Sequence, residues 1–230
     1  MRAIIFEGKF NVGDIISITD DKHHHLKNVL RIKRNQELLI LLGEGVSYLG
    51  KIDSIDKKET RVSIIKENTR ADKPKHNIDL YLGLVKKDAL ESCLKSAVEL
   101  SVRTIYLMSC ENSQKYDINT SRVESIINNA IEQSNIKHFP FVKHIDFKNI
   151  DLSGITNCYI ASNKQNQKGE LLDIQGSIAL FIGPEAGFTD NEEEILLKQA
   201  DVINLPTGIL RTRTAVPALL GYLHGMCHKN

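Results

Sequence analysis

Leu180-Phe181-Ile182-Gly183-Pro184-Glu185-Ala186-Gly187-Phe188-Thr189-Asp190 runs from an apolar strand through a glycine-proline turn into a helix start. A second segment has the same form: Leu205-Pro206-Thr207-Gly208-Ile209-Leu210-Arg211-Thr212-Arg213-Thr214. Loops at the carboxyl ends of strands are where α/β sheets bind their ligands. Glycine and proline in such loops imply constrained backbone and close approach to a neighbour. These two loops form the candidate site. The rest of the chain builds the sheet beneath them or brings a partner to them.

The flanking segments are read outward from these loops. Ser177–Ile182 is a buried strand, and Thr189-Asp190-Asn191-Glu192 has the form of a capping box that opens a helix through Gln199. Val202–Leu205 is the next strand. The last helix carries Val216, Leu219, Leu220, Leu223 and Cys227 on one stripe. Proline is tolerated in a first helical turn, so Pro217 places the N-cap at Thr214 and leaves Arg211, Thr212 and Arg213 in the loop. Upstream, strands at Ile78–Val85, Thr104–Met108 and Cys158–Ala161 alternate with helices. The helix over Lys87–Val102 has Leu90, Cys93, Leu94, Ala97 and Val98 on one stripe. Another opens at the capping box Ser121-Arg122-Val123-Glu124, carries Val123, Ile126, Ile127, Ala130 and Ile131 inward, and ends near Ser134. This alternation marks an α/β domain with a parallel sheet.

Residues 1–70 differ. Ala3–Phe6, Asp14–Thr19, Glu37–Leu42, Tyr48–Ile55 and Thr60–Ile65 are short strand-like runs separated by turn signals. One helical insert, His24 to Arg31, puts Leu26, Val29 and Leu30 on one face and Lys27, Arg31 and Arg34 on or near the other. A small β-barrel displaying a basic helix is expected. Residues 68–77, polar and carrying Pro74, form the expected linker, so the chain divides into 1–70 and 71–230.

At 230 residues, with 41% hydrophobic and 26% charged residues, the chain has ordinary globular composition. No stretch is long and apolar enough to span a membrane, and residues 1–10 lack a signal peptide's apolar run, so a cytoplasmic location is expected. Cys93, Cys110, Cys158 and Cys227 form no CxxC pair and read as free thiols. Net charge is +1, yet Lys22 to Arg34 holds five basic residues, three histidines and no acid. That local excess suits phosphate as well as it suits a solvated face. Adjacent histidines on a helix point in different directions, so His23 to His25 are not expected to bind metal.

GPEAG matches neither the dinucleotide nor the Walker-type glycine pattern. Its carboxylate, Glu185, suits a hydroxyl or an amine better than a phosphate. Arg211, beside a glycine turn, suits a phosphate or a base carbonyl. No nucleophile-histidine-acid arrangement is evident, so hydrolysis through a protein nucleophile has no support.

These segments resemble the signature of the SPOUT methyltransferase superfamily, and specifically the 16S ribosomal RNA (uracil-N3)-methyltransferase family. His24-His25-Leu26…Val29-Leu30-Arg31, Lys95…Glu99-Leu100 and Ala130…Glu132-Gln133-Ser134 resemble its other motifs, in the same order and at the same spacing. The resemblance implies a PUA-like N-terminal barrel and a C-terminal α/β domain with a deep trefoil knot. It implies S-adenosylmethionine as methyl donor, a homodimer, and 16S ribosomal RNA or the small ribosomal subunit as partner. Carried over by position, Ile182, Gly183, Glu185, Gly187, Leu205, Gly208 and Leu210 line the cofactor pocket. Arg211 is expected as the catalytic cation, since methylation at uracil N3 spreads negative charge onto O2 and O4. Arg2, Lys22, His24, Lys27, Arg31 and Arg34 are expected on RNA, with no metal and no membrane. The chain departs from the family pattern at several positions. Ala186 and Ser101 stand where glycine is usual, and Asn135-Ile136 replaces Gly-Arg. Arg213 replaces glutamate, and Pro217 replaces a small helix former. Arg213 is therefore assigned to RNA phosphate. Two alternatives remain at this stage: another RNA methyltransferase of the superfamily acting on ribose 2′-O, and a non-catalytic RNA-binding or assembly factor.

Overall fold

The computed structural model describes residues 1–68, 71, 72, 74, 76–162 and 176–227. Part of the linker expected over 68–77 lies outside them. The chain divides into two compact units. One comprises Met1–Lys73 and Asn128–Phe139, the other Pro74–Ile127 and Pro140–Asn230.

The first unit is a five-stranded barrel-like sheet. Its strands are β1 (Ala3–Ile5), β2 (Ile15–Ile18), β3 (Glu37–Gly43), β4 (Val46–Ile55) and β5 (Thr60–Glu67). They lie in the order β1-β3-β4-β5-β2; β1 runs parallel to β3 and the other pairs are antiparallel. Alternating apolar residues of these strands, including Ile4, Ile16, Ile18, Leu38, Ile40, Ile52, Val62 and Ile64, close one core over Leu26. The helical insert begins earlier than expected. α1 (Asp20–His24) continues into a π-helical turn, His25–Val29, closed by the Leu30 amide donating to the His25 carbonyl at 2.9 Å. The wider turn rotates the helix face. Leu26 stays fully buried while Val29, expected inward, is 61% exposed. The helix stops at Val29, and Arg31 follows in left-handed conformation at φ +48°. Arg31 and Arg34 therefore lie beyond the helix, not on its face.

Residues 128–139 join this unit through backbone. Glu132 accepts from the Ile5 amide at 3.0 Å, and the Gly45 amide donates to the Lys137 carbonyl at 2.9 Å. A division drawn at one point along the chain does not include this return.

The second unit is built on six strands. These are β6 (Asn77–Gly83), β7 (Thr104–Ser109), β8 (Phe141–Asp146), β9 (Asn157–Ala161), β10 (Ser177–Ile182) and β11 (Asp201–Ile203). All are parallel, in the order β11-β9-β10-β6-β7-β8. The central strands β6 and β10 are almost wholly buried; β10 is a nearly continuous apolar run, and β6 is apolar apart from Asp79, which is paired with Arg103. β8 was not expected from the sequence. It is an edge strand whose Lys143, His144 and Asp146 are exposed, so it shows no apolar run.

The helices are α2 (Lys87–Glu99), α3 (Thr120–Ser134), α4 (Asp190–Leu197) and α5 (Thr212–Cys227). The apolar stripes read for α2, α3 and α5 are all buried. Two helix starts differ from expectation. Asn119 caps α3, its side chain accepting from the Arg122 amide at 2.9 Å, so the Ser121 capping box is not the start. α5 starts at Thr212, not after Thr214: the Arg211 carbonyl accepts from the Thr214 and Ala215 amides, both at 2.8 Å. Thr212 is buried and donates its hydroxyl to the Gly183 carbonyl at 3.3 Å, which anchors the first turn. Pro217 then sits inside the helix and leaves the Arg213 carbonyl without its helical amide partner. The tertiary anchor outweighs that single lost bond.

α2 ends as the family's glycine pattern would demand, but without glycine. The Ser101 amide donates to Val98 and the Val102 amide to Ala97, a Schellman closure, with Ser101 at φ +55°. Asn135, after α3, takes φ +57°.

Candidate methyltransferase site

A cleft of about 890 Å³ opens in the second unit at the carboxyl ends of β9, β10 and β11. Four segments meet there: the 182–188 turn after β10, the 203–211 segment after β11, the start of α2 and the start of α5. Ile182, Gly183, Glu185, Gly187, Leu205, Gly208 and Leu210 all line it, together with Arg211 and Arg213. The two glycine-bearing loops read from the sequence thus share one cleft.

The 182–188 turn is tight for identifiable reasons. The Gly187 amide donates to the Pro184 carbonyl at 2.8 Å, and Gly187 sits at φ +76°, a conformation that favours glycine. Thr189 and Glu192 form the reciprocal capping box read from the sequence. Glu192 does more than cap. It is buried, and its second oxygen accepts from the Glu111 amide at 2.8 Å. Asn112 donates to the Gly187 carbonyl at 3.2 Å, so the loop after β7 braces the turn from behind.

Glu185 is exposed, yet it is engaged. One carboxylate oxygen accepts from the Lys86 amide at 2.9 Å, at the N-cap of α2. A carboxylate there also meets the positive end of the helix. The same negative charge lies near Cys93, whose thiol is pushed up to about 12, first by burial and then by Glu185.

Arg211 is exposed and immediately precedes α5. Arg213, expected in the loop, is exposed within the first turn of that helix. Both stand where the 203–211 segment reaches the cleft.

Several lining residues were not singled out in the sequence. Glu193 is buried in the cleft wall and accepts from the Ser162 hydroxyl at the end of β9. In the run Asn191 to Glu194 it looks like one acid of a solvated first turn, so no local signal marks it. Lys86, Asp88 and Thr212 line the cleft only because α2 and α5 begin beside it.

The residues assigned to RNA in the first unit have varied settings. Arg2, Lys22, His24, Arg31 and Arg34 are exposed. Lys22 donates to the Ile5 carbonyl at 2.9 Å and lies over the Phe6 ring. Lys27 is half-buried and donates to the Asp56 carbonyl at 2.8 Å. The three histidines diverge: His23 is buried on Thr60, His24 contacts Asn28, and His25 faces Glu132 at 3.8 Å.

A family model described as the RNA methyltransferase domain matches residues 71–224, and one described as the RNA methyltransferase PUA domain matches residues 18–65. The chain belongs to the RNA methyltransferase family. Among its relatives is a "Ribosomal RNA small subunit methyltransferase E" of Rickettsia conorii, 28% identical over 209 residues, covering 87% of this chain and 85% of the relative. Another, "Ribosomal RNA small subunit methyltransferase E 2" of Borreliella burgdorferi, is 27% identical over 238 residues and covers 98% of each. The crystal structure of a ribosomal RNA small subunit methyltransferase E from Neisseria gonorrhoeae, bound to S-adenosyl methionine, superposes with a TM-score of 0.85. It is 24% identical and covers 98% of both chains, which establishes a shared fold. In this RNA methyltransferase, no helix among the described residues is long and apolar enough to cross a membrane.

Proposed function

We propose that this RNA methyltransferase transfers a methyl group from S-adenosylmethionine to N3 of a uridine in 16S ribosomal RNA of the small subunit. The observation that carries this reading is the meeting of all seven expected cofactor residues in one cleft with Arg211 at the head of α5. The names of the relatives and the cofactor bound to the Neisseria structure support it.

The cleft residues fit such a cofactor. A Cβ on Gly183 would stand 3.0 Å from the Phe188 nitrogen and crowd the turn, and glycine there leaves backbone amides and carbonyls open to an adenine edge. Glu185 and Glu193 supply negative charge suited to a ligand carrying ammonium and sulfonium groups. The apolar side chains of Ile182, Leu205 and Leu210 line the cleft and would offer apolar contact to the cofactor's ring. The cofactor supplies an electrophilic methyl group on sulfur.

The protein's own task is alignment and electrostatics. Uracil N3 becomes nucleophilic only as its proton passes to solvent; the charge spreads to O2 and O4, and N3 then takes the methyl group from sulfur, leaving a neutral thioether. Arg211 donates to that developing charge. N3 is on the pairing edge, so the base enters unpaired or flipped. The module of residues 1–70 grips RNA backbone through Arg2, Lys22, His24, Lys27, Arg31 and Arg34, while residues 71–230 carry transfer. Arg213 adds a phosphate contact beside the cleft.

The same reading includes a cytoplasmic setting, a homodimer and a threaded C-terminal segment. The last is supported by β10 lying between β6 and β9, and by Thr212 returning to bond Gly183. The test is transfer of labelled methyl to small-subunit RNA and to assembled small subunits, with mass mapping of the product. N3-methyluridine is expected. A ribose-methylated product, or no incorporation into either substrate, overturns the proposal.

A further inference from the structure

Ile209 is the most exposed large hydrophobic residue described, at 84%, and it lies on the wall of the cleft. The segment that carries it has hydrogen bonds on both sides. On one side, the Thr207 amide donates to the Leu205 carbonyl at 2.7 Å and the Thr207 hydroxyl to the Gly208 carbonyl at 3.0 Å. On the other, Thr212 is buried and bonded to Gly183. Between these anchors Leu210 turns partly inward, while Ile209 is held out into the opening.

A singly exposed apolar side chain needs no partner on its own, but this one stands on the wall of the cleft that holds the candidate site. The chemistry beside it identifies what. Arg211 and Arg213, both exposed, follow within four residues on the same wall. A partner that offers an apolar face next to negative charge meets both features: a nucleobase face with its flanking phosphates. An aliphatic side chain packs on a base face through the apolar area the two bury, as apolar wedges do elsewhere in nucleic-acid recognition.

We propose that Ile209 packs against the face of the unpaired target pyrimidine and holds its edge toward the methyl donor. This rests on the uridine reading of the site given above. Ile209 acts as a positioning residue: it touches the base without exchanging protons or charge with it. Packing on one face fixes the ring plane, and Arg211 then meets a carbonyl in that plane.

The experiment uses the full-length chain and a hairpin RNA with one unpaired loop uridine, compared with the same RNA made abasic there. Affinities are read by fluorescence anisotropy for wild type, Ile209→Ala and Ile209→Phe. Wild type should bind the uridine RNA about tenfold more tightly than the abasic one, the scale expected for burying one aliphatic side chain. Ile209→Ala should lose that difference, and Ile209→Phe should keep it. S-adenosylmethionine affinity by calorimetry and sedimentation velocity should be unchanged in both variants. Equal discrimination in wild type and Ile209→Ala, or none in wild type, overturns the proposal. So does weakened cofactor binding, which would put Ile209 on the cofactor, or a shift in assembly state, which would put it under a second copy. If base discrimination follows Ile209 but wild type transfers no methyl to uracil, the transfer reading fails and the packing role stands.

Discussion

Gly83 at the end of β6 lies so close to Pro184 that a Cβ on Gly83 would sit 2.5 Å from the Pro184 Cδ and 2.6 Å from its nitrogen. The second contact is with backbone, so no side-chain rotation relieves it. The 182–188 turn is therefore seated on the bare backbone of the neighbouring strand. Gly83→Ala should destabilise the fold by about 1–3 kcal/mol through overpacking and weaken S-adenosylmethionine binding. Urea denaturation and calorimetry read the two effects. A variant unchanged in both would show that the turn is not seated on Gly83.

Asp79, buried in β6, receives a two-pronged bond from Arg103, with Nε to Oδ1 at 2.8 Å and the second nitrogen on Oδ2. Removing the guanidinium strands a buried carboxylate. Arg103→Ala should cost about 3–5 kcal/mol in denaturant unfolding. Adding Asp79→Asn should recover part of that loss. Two losses that simply add would refute the pairing.

Ser101 and Asn135 both adopt left-handed backbone, at φ +55° and +57°. Glycine occupies that region without the Cβ penalty, which is about 1–2 kcal/mol for other residues. Ser101→Gly and Asn135→Gly should each raise stability by up to about 1 kcal/mol, with Asn135 gaining less because asparagine tolerates the region better. A fall in the urea midpoint of either variant would contradict this.

Arg211→Ala should lower methyl transfer by about 100-fold or more, the scale of losing one donor to a developing anion. Cofactor affinity should remain within a few-fold of wild type. Arg211→Lys should restore transfer only in part, since one ammonium does not reproduce a planar fork. Full activity in Arg211→Ala would remove Arg211 from the mechanism.

Glu132 is pushed above the usual carboxylate value of 4.5 by burial, against the opposing pull of the Ile5 amide, His25 and Lys22. A carboxyl group raised on folding favours the protonated folded state. Its contribution is complete below the unfolded value and is lost as pH rises through the folded one. Glu132→Gln should flatten the fall in stability just above pH 4.5, measured by urea midpoints across pH. An identical pH profile in the variant would refute the assignment.

The helix starts show where local signals suffice and where they do not. Thr189 and Glu192 lie three residues apart and cap each other, so that start was legible. Ser121 and Glu124 have the same spacing, yet Asn119 lies just upstream and takes the role. Pro217 pointed to a later start for α5, and the Thr212–Gly183 bond overrode it. β8 was missed because an edge strand can expose polar residues on both faces.

By itself, the sequence determined the strands and helices whose apolar periodicity is strong, the two glycine-bearing loops, and the family they announce. Those features depend on neighbours within one turn or one strand. Tertiary structure decided the rest. It seated Pro184 on Gly83, returned residues 128–139 to the first unit, and bonded Glu185 to the Lys86 amide across 99 positions of chain. It also left Ile209 exposed on the wall of the cleft, three residues before the Thr212–Gly183 bond. Contacts between residues far apart in the chain leave no periodicity, so only the folded backbone reveals them.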